Sequence, residues 1–588
     1  MGKSKKVIRV ENTRSDKVFF QKNLYAVSFL AIIIIILISY SNSFNNSFQY
    51  DDVHHIFESK HNKDFESFKN PSFWFHFTQR APAQFTFAVN YYLNEYSVTG
   101  YHVFNLIIHL LSSVIVFLLA GILLSSSAIK EKYILPYKKH IQLFTALIFA
   151  AHPIQTESVT YIVQRMESLS FLFYAGALIM YYLFRKEKNT GSQIFKFALF
   201  ALSGLLSVMT KQTAYTLPLA ILILEIYFIR DKNGKSNRKL IYSLTSILTL
   251  SLIIGLITDT LPREVLSETG RIEYMLSQFT VILKYVFLMF VPVGQNIDHH
   301  IVIPGSIFEF KVIAGIFIIF LMILSGYFLY RKGHVLLSFS IAWFFAVISL
   351  RSSVLPISDL MSEHRLYPAI FGYGLFVSAG IFYLLDKFSS GKNIVRNASV
   401  ILVLAVFSYS AAAYLRNRVW KNELTLWQDS VSKSPEKFRP NYNYAEALKK
   451  NGNSTAALEF YLKAYSLNDK SYGVCNNIGN IYAADKKYDE AEYYYKKALE
   501  LFPSYPKALS NLANVYYKKA IYDKAEELYI KASEADPLFI DPVLNLGHLY
   551  FITEHYDLSV EKYKRVLELD PDNSQATNNL KIILSGQQ

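Results

Sequence analysis

The sequence predicts an all-α protein in two parts, a polytopic membrane helical bundle followed by a soluble helical solenoid. Two observations carry this: long charge-free apolar blocks run to about residue 415, and a 34-residue repeat fills the rest. Charge placement fits both parts. The chain of 588 residues has a net charge of +14, yet residues 416–588 carry 23 basic and 23 acidic side chains, so the whole excess lies in the first 415. Basic residues in short loops between apolar spans orient a membrane protein. No basic stripe or aromatic ladder accompanies them in the repeats, so nucleic acid is not a partner.

The first span is Leu24–Tyr40 (LYAVSFLAIIIIILISY), uncharged and, with its flanks, long enough for a hydrocarbon core of roughly 30 Å. A basic leader precedes it and no small-x-small cleavage pattern follows in SYSNSFNNSF, so it reads as an uncleaved anchor with a cytoplasmic N-terminus. Further apolar segments fall near 104–124, 141–151, 168–184, 194–209, 213–229, 239–258, 275–293, 311–329, 335–350, 366–385 and 395–415. The basic loops at 130–139, 185–188, 230–239, 331–332 and 387–396 should all face the cytoplasm. Alternation then fails between Lys239 and Arg331, where three segments stand and an even number is needed. Segment 275–293 contains Lys284 and ends in Pro292 and Gly294, so it is expected to be re-entrant or to lie on the outer face. That leaves about eleven crossings and places the C-terminal repeats outside.

The repeats are read from Pro435, Asp469, Pro503, Pro537 and Pro571, each 34 residues after the last. Gly479, Tyr482, Ala491, Tyr495 and Ala498 recur as Ala513, Tyr516, Ala525, Tyr529 and Ala532, then as Gly547, Tyr550, Ser559, Tyr563 and Val566. Small residues where paired helices touch, with aromatics between them, are the tetratricopeptide pattern. The expected domains are therefore 1–415 in the membrane, 416–437 as a docking half-repeat with Trp427, and 438–588 as four tetratricopeptide repeats. Such arrays present an extended concave surface suited to a peptide or protein. Cys475 is the single cysteine, which rules out an intramolecular disulfide and a multi-cysteine zinc site.

Four polar clusters interrupt the apolar sequence, all on the outer side. They are Asp51-Asp52-Val53-His54-His55; Arg80-Ala81-Pro82 followed by Gly100-Tyr101-His102, Asn105 and His109; His152-Pro153-Ile154-Gln155-Thr156-Glu157 running to Arg165; and Glu363-His364-Arg365-Leu366-Tyr367-Pro368. Ionisable groups near a membrane core are costly and mark candidate functional sites. Taken singly, each has a packing role open to it: His109 and Asn105 as bridges between helices, Glu157 with Arg165 or Glu363 with Arg365 as ion pairs.

Together these motifs (DDVHHI after the first span, RAP…GYHVFN…H, HPIQTESV…R…E, EHRLYPA before a late span, and the repeat array) resemble the transmembrane and tetratricopeptide repeat-containing O-mannosyltransferases. The likeness is to prokaryotic relatives of that family, within the multi-span C-type glycosyltransferases. The resemblance implies a transferase that takes a sugar from a polyprenyl-phosphate donor and delivers it to a hydroxyl, on Ser or Thr of a protein. It implies the cell (inner) membrane, with the catalytic loops and repeats on the extracytoplasmic side. Asp51 is implied as the base, with Asp52 orienting the acceptor or sharing a metal. Arg165, Arg365 and Arg80 are implied for the donor phosphate, since arginine's planar fork matches phosphate oxygens. His54, His102, His152, Glu157, Glu363 and Tyr367 would line the sugar or acceptor pocket, and the lipid tail would lie between spans. The carboxylates with His54 and His55 leave room for a divalent cation without specifying one. A non-catalytic membrane-anchored scaffold that assembles partners through its repeats is the alternative.

Overall fold

The computed structural model describes residues 24–586 except 64, 76–79, most of 230–269, 353–358 and 390–392. All secondary structure among the described residues is helical, as the apolar blocks and the repeat require. The chain divides into two compact units, Met1–Leu426 and Trp427–Gln588.

The first unit contains α1 (Leu24–Tyr40), α2 (Ala81–Asn94), α3 (Val98–Leu124), α4 (Lys138–Ala151), α5 (Arg165–Lys186), α6 (Thr190–Thr210), α7 (Leu217–Tyr227), α8 (Arg271–Phe290), α9 (Phe310–Arg331), α10 (Val335–Ile348), α11 (Ala369–Phe388) and α12 (Ile394–Asn417). Among the described residues seven helices are long and apolar enough to cross a membrane, and α1, α7 and α10 are shorter apolar helices. The expected segment 239–258 and the basic loop before it lie outside the described residues.

The surface of this unit suits lipid rather than water. On α9, Phe310, Phe317, Phe320 and Ile323 are all more than half exposed, as are Leu404 and Phe407 on α12. An apolar stripe of that extent would be an association hazard in water and is the ordinary outer face of a membrane helix. Inside, small residues let backbones meet. A Cβ added at Gly315 of α9 would stand 2.8 Å from the Phe279 carbonyl of α8, and one at Gly374 of α11 would stand 2.9 Å from the Thr145 carbonyl of α4. A polar residue within a span can satisfy itself locally, as the Ser39 hydroxyl does by donating to the Ile35 carbonyl one turn back at 2.8 Å.

The ends of the helices carrying the polar clusters converge. Asn417, at the end of α12, donates to the Ser39 carbonyl in α1 at 2.9 Å and accepts from Thr160 at 2.8 Å. Helix α8 is bonded to the same group of loops along its length. Tyr274 donates to the Arg351 carbonyl, Gln278 to Leu360, Tyr285 to Ser362, and the Met289 carbonyl bonds His152.

The second unit begins within the helix Glu423–Lys433 and continues as four helix pairs: Phe438–Lys450 with Ser454–Leu467, Tyr472–Ala484 with Tyr488–Leu501, Pro506–Lys518 with Tyr522–Ala535, and Ile540–Ile552 with Tyr556–Leu569, closed by Ser574–Gly586. Tyr461, Tyr495, Tyr529 and Tyr563 are buried in successive pairs. The small residue opposite each ring is a packing necessity. A Cβ at Gly479 would meet the Tyr495 ring at 2.6 Å, and one at Gly547 the Tyr563 ring at 2.7 Å.

Candidate functional site

The acidic pair splits into two environments. Asp52 is fully buried, and each of its oxygens accepts one backbone N–H: Oδ2 from Gln49 and Oδ1 from Val163, both at 2.7 Å. Burial pushes its carboxyl up to about 8, while the two N–H donors pull the other way. Asp51 is half-buried, and its own N–H donates to the Tyr161 hydroxyl at 2.9 Å. Tyr161 stacks on Trp420 with ring centroids 5.2 Å apart. The incoming loop is pinned as well, with Ser47 N–H donating to the Lys421 carbonyl and Asn46 to the Asn417 carbonyl. Asp52 thus fixes the turn, and Asp51 is presented by it.

His55 lies on the same turn, half-buried, and is held down to about 4 by burial and by the charges of Arg80, His54 and Lys211. That field locates a cationic group near the acidic turn. Lys211 caps α6, with its ammonium 2.9 Å from Glu167 and donating to Gln164 at 2.7 Å. Burial pushes it down to about 8, against the pull of Glu167. Arg351 and Arg80 act on Lys211 electrostatically, and Arg351 donates to Gln212 at 3.3 Å. Arg80 precedes α2 in the left-handed region at φ 53°, and its guanidinium approaches the Met166 sulfur at 3.3 Å. Left-handed backbone at a non-glycine residue is uncommon and costs free energy.

Two buried Glu–His pairs form the next layer. Glu157 accepts from His364 N–H at 3.0 Å and meets His364 Nδ1 at 2.7 Å. Glu363 accepts Asn296 N–H at 2.6 Å, meets His299 Nε2 at 2.8 Å, and accepts from Gln295 at 3.1 Å. These replace the arginine pairings considered from sequence, Glu157 with Arg165 and Glu363 with Arg365. Burial and the neighbouring Glu363 push Glu157 up to about 8. Burial works to raise Glu363 too, but His299, Arg416 and the Asn296 N–H together hold it below its ordinary value. His364 stays neutral, driven well down by burial and by the charges of Lys211, Arg365, Arg351 and Arg80.

Several expected site residues brace the structure instead. Arg165 is fully buried: Nε donates to Asn105 at 2.6 Å, Nη1 to the Thr86 carbonyl at 3.2 Å, and Nη2 to the Tyr101 carbonyl at 3.0 Å. Phe87 and Phe104 flank its guanidinium at 4.6 and 4.9 Å. Its donors are taken by protein. Arg365 is buried, donating to the Asp359 carbonyl at 2.7 Å, and its Nε has no partner among the described residues. His102 bonds the Asn46 carbonyl at 2.8 Å and His152 the Met289 carbonyl at 2.8 Å. Tyr367 bonds His109 Nδ1 at 2.8 Å, the bridge between helices considered for His109. His54 is exposed and pairs with Glu58 at 3.0 Å, so it does not join the site. Among the described residues no three His, Cys, Asp or Glu side chains converge as a metal cage.

Lys211, Arg351, His299 and Arg416 were not singled out from sequence as site residues. Lys211 and Arg351 each follow the end of an apolar helix, which is the signal that finds them: a charge there needs a partner in the site. His299 carries no such signal, because its role depends on a loop folding back over Glu363.

Next to this end of the bundle an apolar cleft of about 360 Å³ opens between α8, α9, α10 and α11. Val286, Phe290, Leu321, Ile341, Phe344 and Phe376 line it. Tyr373, also in its wall, packs on His152 at 5.4 Å.

Tetratricopeptide repeat models match residues 438–471, 482–546 and 541–573. Over 474 residues the chain is 26% identical to the protein O-mannosyl-transferase F38B6.6 of Caenorhabditis elegans, covering 75% of this chain and 63% of that protein. It is 23% identical over 532 residues to the human protein O-mannosyl-transferase TMTC3, covering 80% of this chain and 55% of that protein. It is 25% identical over 489 residues to the human protein O-mannosyl-transferase TMTC4, covering 73% and 64%. The chain thus spans between 55% and 64% of the length of these relatives. It is a distant relative of the protein O-mannosyl-transferases, carrying its own tetratricopeptide repeat array.

Proposed function

We propose that this chain is an integral-membrane glycosyltransferase that moves a sugar from a polyprenyl-phosphate donor to a hydroxyl, on Ser or Thr of a protein, at the extracytoplasmic face. One observation carries the reading: Asp51 is presented half-buried by a turn that Asp52 locks, with the charges of Arg80 and Lys211 acting on the same turn.

The acceptor oxygen forms its bond to the anomeric carbon as the bond from that carbon to the phosphate oxygen breaks. Asp51 takes the hydroxyl proton. The phosphate leaves with the bonding electron pair, and Lys211, Arg80 and Arg351 are the cations placed to receive its charge. Arg165, whose donors are taken by protein, is left out of that role. Asp52 is a positioning residue. The Glu157–His364 and Glu363–His299 pairs shape the pocket wall, and the apolar cleft suits a prenyl chain. The orientation is supported by the opposite helix ends: Lys138 begins α4, Arg185 and Lys186 end α5, and Arg331 ends α9.

The test is membrane-embedded wild-type and Asp51→Asn protein given a polyprenyl-phosphate sugar and a Ser/Thr peptide, with product read by mass spectrometry. A sugar-mass increment lost in Asp51→Asn, with an unchanged melting curve, is expected. Undiminished transfer by that variant defeats the reading.

A further inference from the structure

The repeat unit carries an aromatic corner that its own periodicity does not supply. Tyr472 opens the helix Tyr472–Ala484, Phe502 ends Tyr488–Leu501 as its C-cap, and Tyr505 precedes Pro506–Lys518 as its N-cap. The three rings touch. Tyr472 meets Phe502 at 5.2 Å and Tyr505 at 4.9 Å between centroids, and Phe502 stacks on Tyr505 at 5.9 Å.

The tyrosines that pack the array, Tyr461, Tyr495, Tyr529 and Tyr563, recur every 34 residues. Phe502 does not recur, because the other repeats have Asn468, Asp536 and Asp570 at its position. Asn468 and Asp536 brace the turn there, each through a side-chain oxygen that accepts the N–H two residues on at 3.1 Å. Phenylalanine cannot accept, so this turn forgoes that hydrogen bond and leaves a ring 39% exposed, beside Tyr472 at 42%. A local rule broken once in an otherwise regular array points to a site rather than to packing.

Polar groups edge the corner. Among the described residues the hydroxyls of Tyr472 and Tyr505 have no hydrogen-bond partner. The Glu446 carboxylate acts electrostatically on both Tyr442 and Tyr505, and its Oε1 accepts from Tyr461 and from Asn477 at 2.6 Å. A carboxylate offers about four acceptor positions, so Glu446 keeps capacity for a further donor.

Rings and rim together select a ligand. Because the rings are in mutual contact, no gap between them admits a cation, and a ligand has to lie across their faces. An aromatic face is electron-rich and attracts polarised C–H groups, while hydroxyls and a carboxylate at its edge bond further hydroxyls. A hexopyranose has both features, a face of C–H groups and a rim of hydroxyls. A purely apolar side chain would leave the carboxylate and both tyrosine hydroxyls unmatched.

We infer that the junction of the second and third helix pairs binds a neutral hexopyranose residue, its C–H face over Tyr472, Phe502 and Tyr505 and one hydroxyl donating to Glu446. The site needs no lipid-linked donor and no acceptor hydroxyl, so it stands apart from glycosyl transfer.

The experiment uses the full chain in polyoxyethylene detergent micelles, which present neither sugar nor ammonium, with mannotriose as the probe. Saturation-transfer NMR with irradiation of the protein's aromatic protons is expected to give saturable signals on the sugar's C–H protons. Phe502→Asn installs the residue found at position 468. It should weaken binding at least about fivefold while holding or raising the melting midpoint. Glu446→Gln keeps an oxygen for Tyr461 and Asn477 and should weaken binding about fivefold. Tyr493→Ala, at an exposed ring that packs on Tyr494 outside the corner, should leave it unchanged. Unaltered affinity in Phe502→Asn overturns the inference, and so does the lack of any saturation transfer. Displacement of the sugar by choline, or tighter binding of an alanine–phenylalanine peptide at the same corner, overturns the assignment of a sugar. Transfer to Ser/Thr peptides is read separately, and none of these outcomes bears on it.

Discussion

The Oδ1 atom of Asp52 accepts the backbone N–H of Val163 at 2.7 Å across 111 residues of sequence, while Oδ2 accepts Gln49 N–H at the same distance. One side chain thereby joins the turn after the first span to the segment that leads into α5. The two adjacent acids consequently have different work, Asp52 holding the turn and Asp51 standing at its edge.

Asp52→Asn should therefore destabilise the fold. An amide presents one oxygen and a donating NH₂ to two N–H groups, so one buried donor loses its partner, at a cost of about 1–3 kcal/mol. Thermal unfolding in detergent should show a lowered midpoint for Asp52→Asn and none for Asp51→Asn. Equal midpoints in both variants would count against the division of roles.

The pH dependence of stability follows from the same group. Burial raises the folded-state carboxyl of Asp52 to about 8, above its unfolded value near 4. Between those values the folded state holds a proton that the unfolded chain has released, so the stability contribution is complete below about pH 4 and lost as pH rises toward 8. The wild-type-minus-Asp52→Asn stability difference should fall over that window, by at most about 1.4 kcal/mol per pH unit. A rise with pH contradicts the raised value.

Arg165→Lys should behave as a fold defect. Lysine cannot reproduce the forked bonds to Asn105, Thr86 and Tyr101 or the stacking between Phe87 and Phe104. A loss of about 3 kcal/mol or more is expected from an imperfectly satisfied buried cation. Normal melting with weakened donor binding would return Arg165 to the phosphate site.

Lys211 can be separated from its structural duty by pairing substitutions. Lys211→Met alone leaves Glu167 buried without its partner at 2.9 Å, and should destabilise strongly. Adding Glu167→Gln removes the orphaned charge and should restore the melting midpoint. Transfer should remain reduced by about a hundredfold or more, the scale of a lost charge-stabilising group. Recovery of transfer along with stability would make Lys211 purely structural.

In the repeats, Ala520 occupies the left-handed region at φ 57°, where the first repeat has Gly452 at φ 80°. Ala520→Gly relieves a steric cost of about 1–2 kcal/mol and forfeits about 0.5–1 kcal/mol of chain entropy. A small net gain in melting midpoint is expected. A lowered midpoint would show the strain to be compensated locally.

The class of the fold and the length of its parts are legible in local sequence pattern. Spans of charge-free residues such as Leu24–Tyr40, and small residues set against Tyr495 and Tyr563 at a fixed period, are local patterns whose physics is complete within a helix or a helix pair. Sequence also placed the four polar clusters, because a charge next to an apolar run is costly wherever the chain goes. What each cluster does was decided by tertiary structure. Arg165 and Lys211 look alike as cations ending apolar runs, yet one is enclosed by Asn105, Thr86 and Tyr101 and the other sits among Glu167, Arg351 and Arg80. Glu363 meets His299, 64 residues away, and Glu157 meets His364, 207 away. A carboxylate's role is set by the donors and charges within a few ångströms, and here those come from distant segments whose meeting no local spacing encodes. The acidic pair shows both halves: sequence put Asp51 beside Asp52, and only the fold made Asp52 the brace of the turn, through N–H groups of Gln49 and Val163.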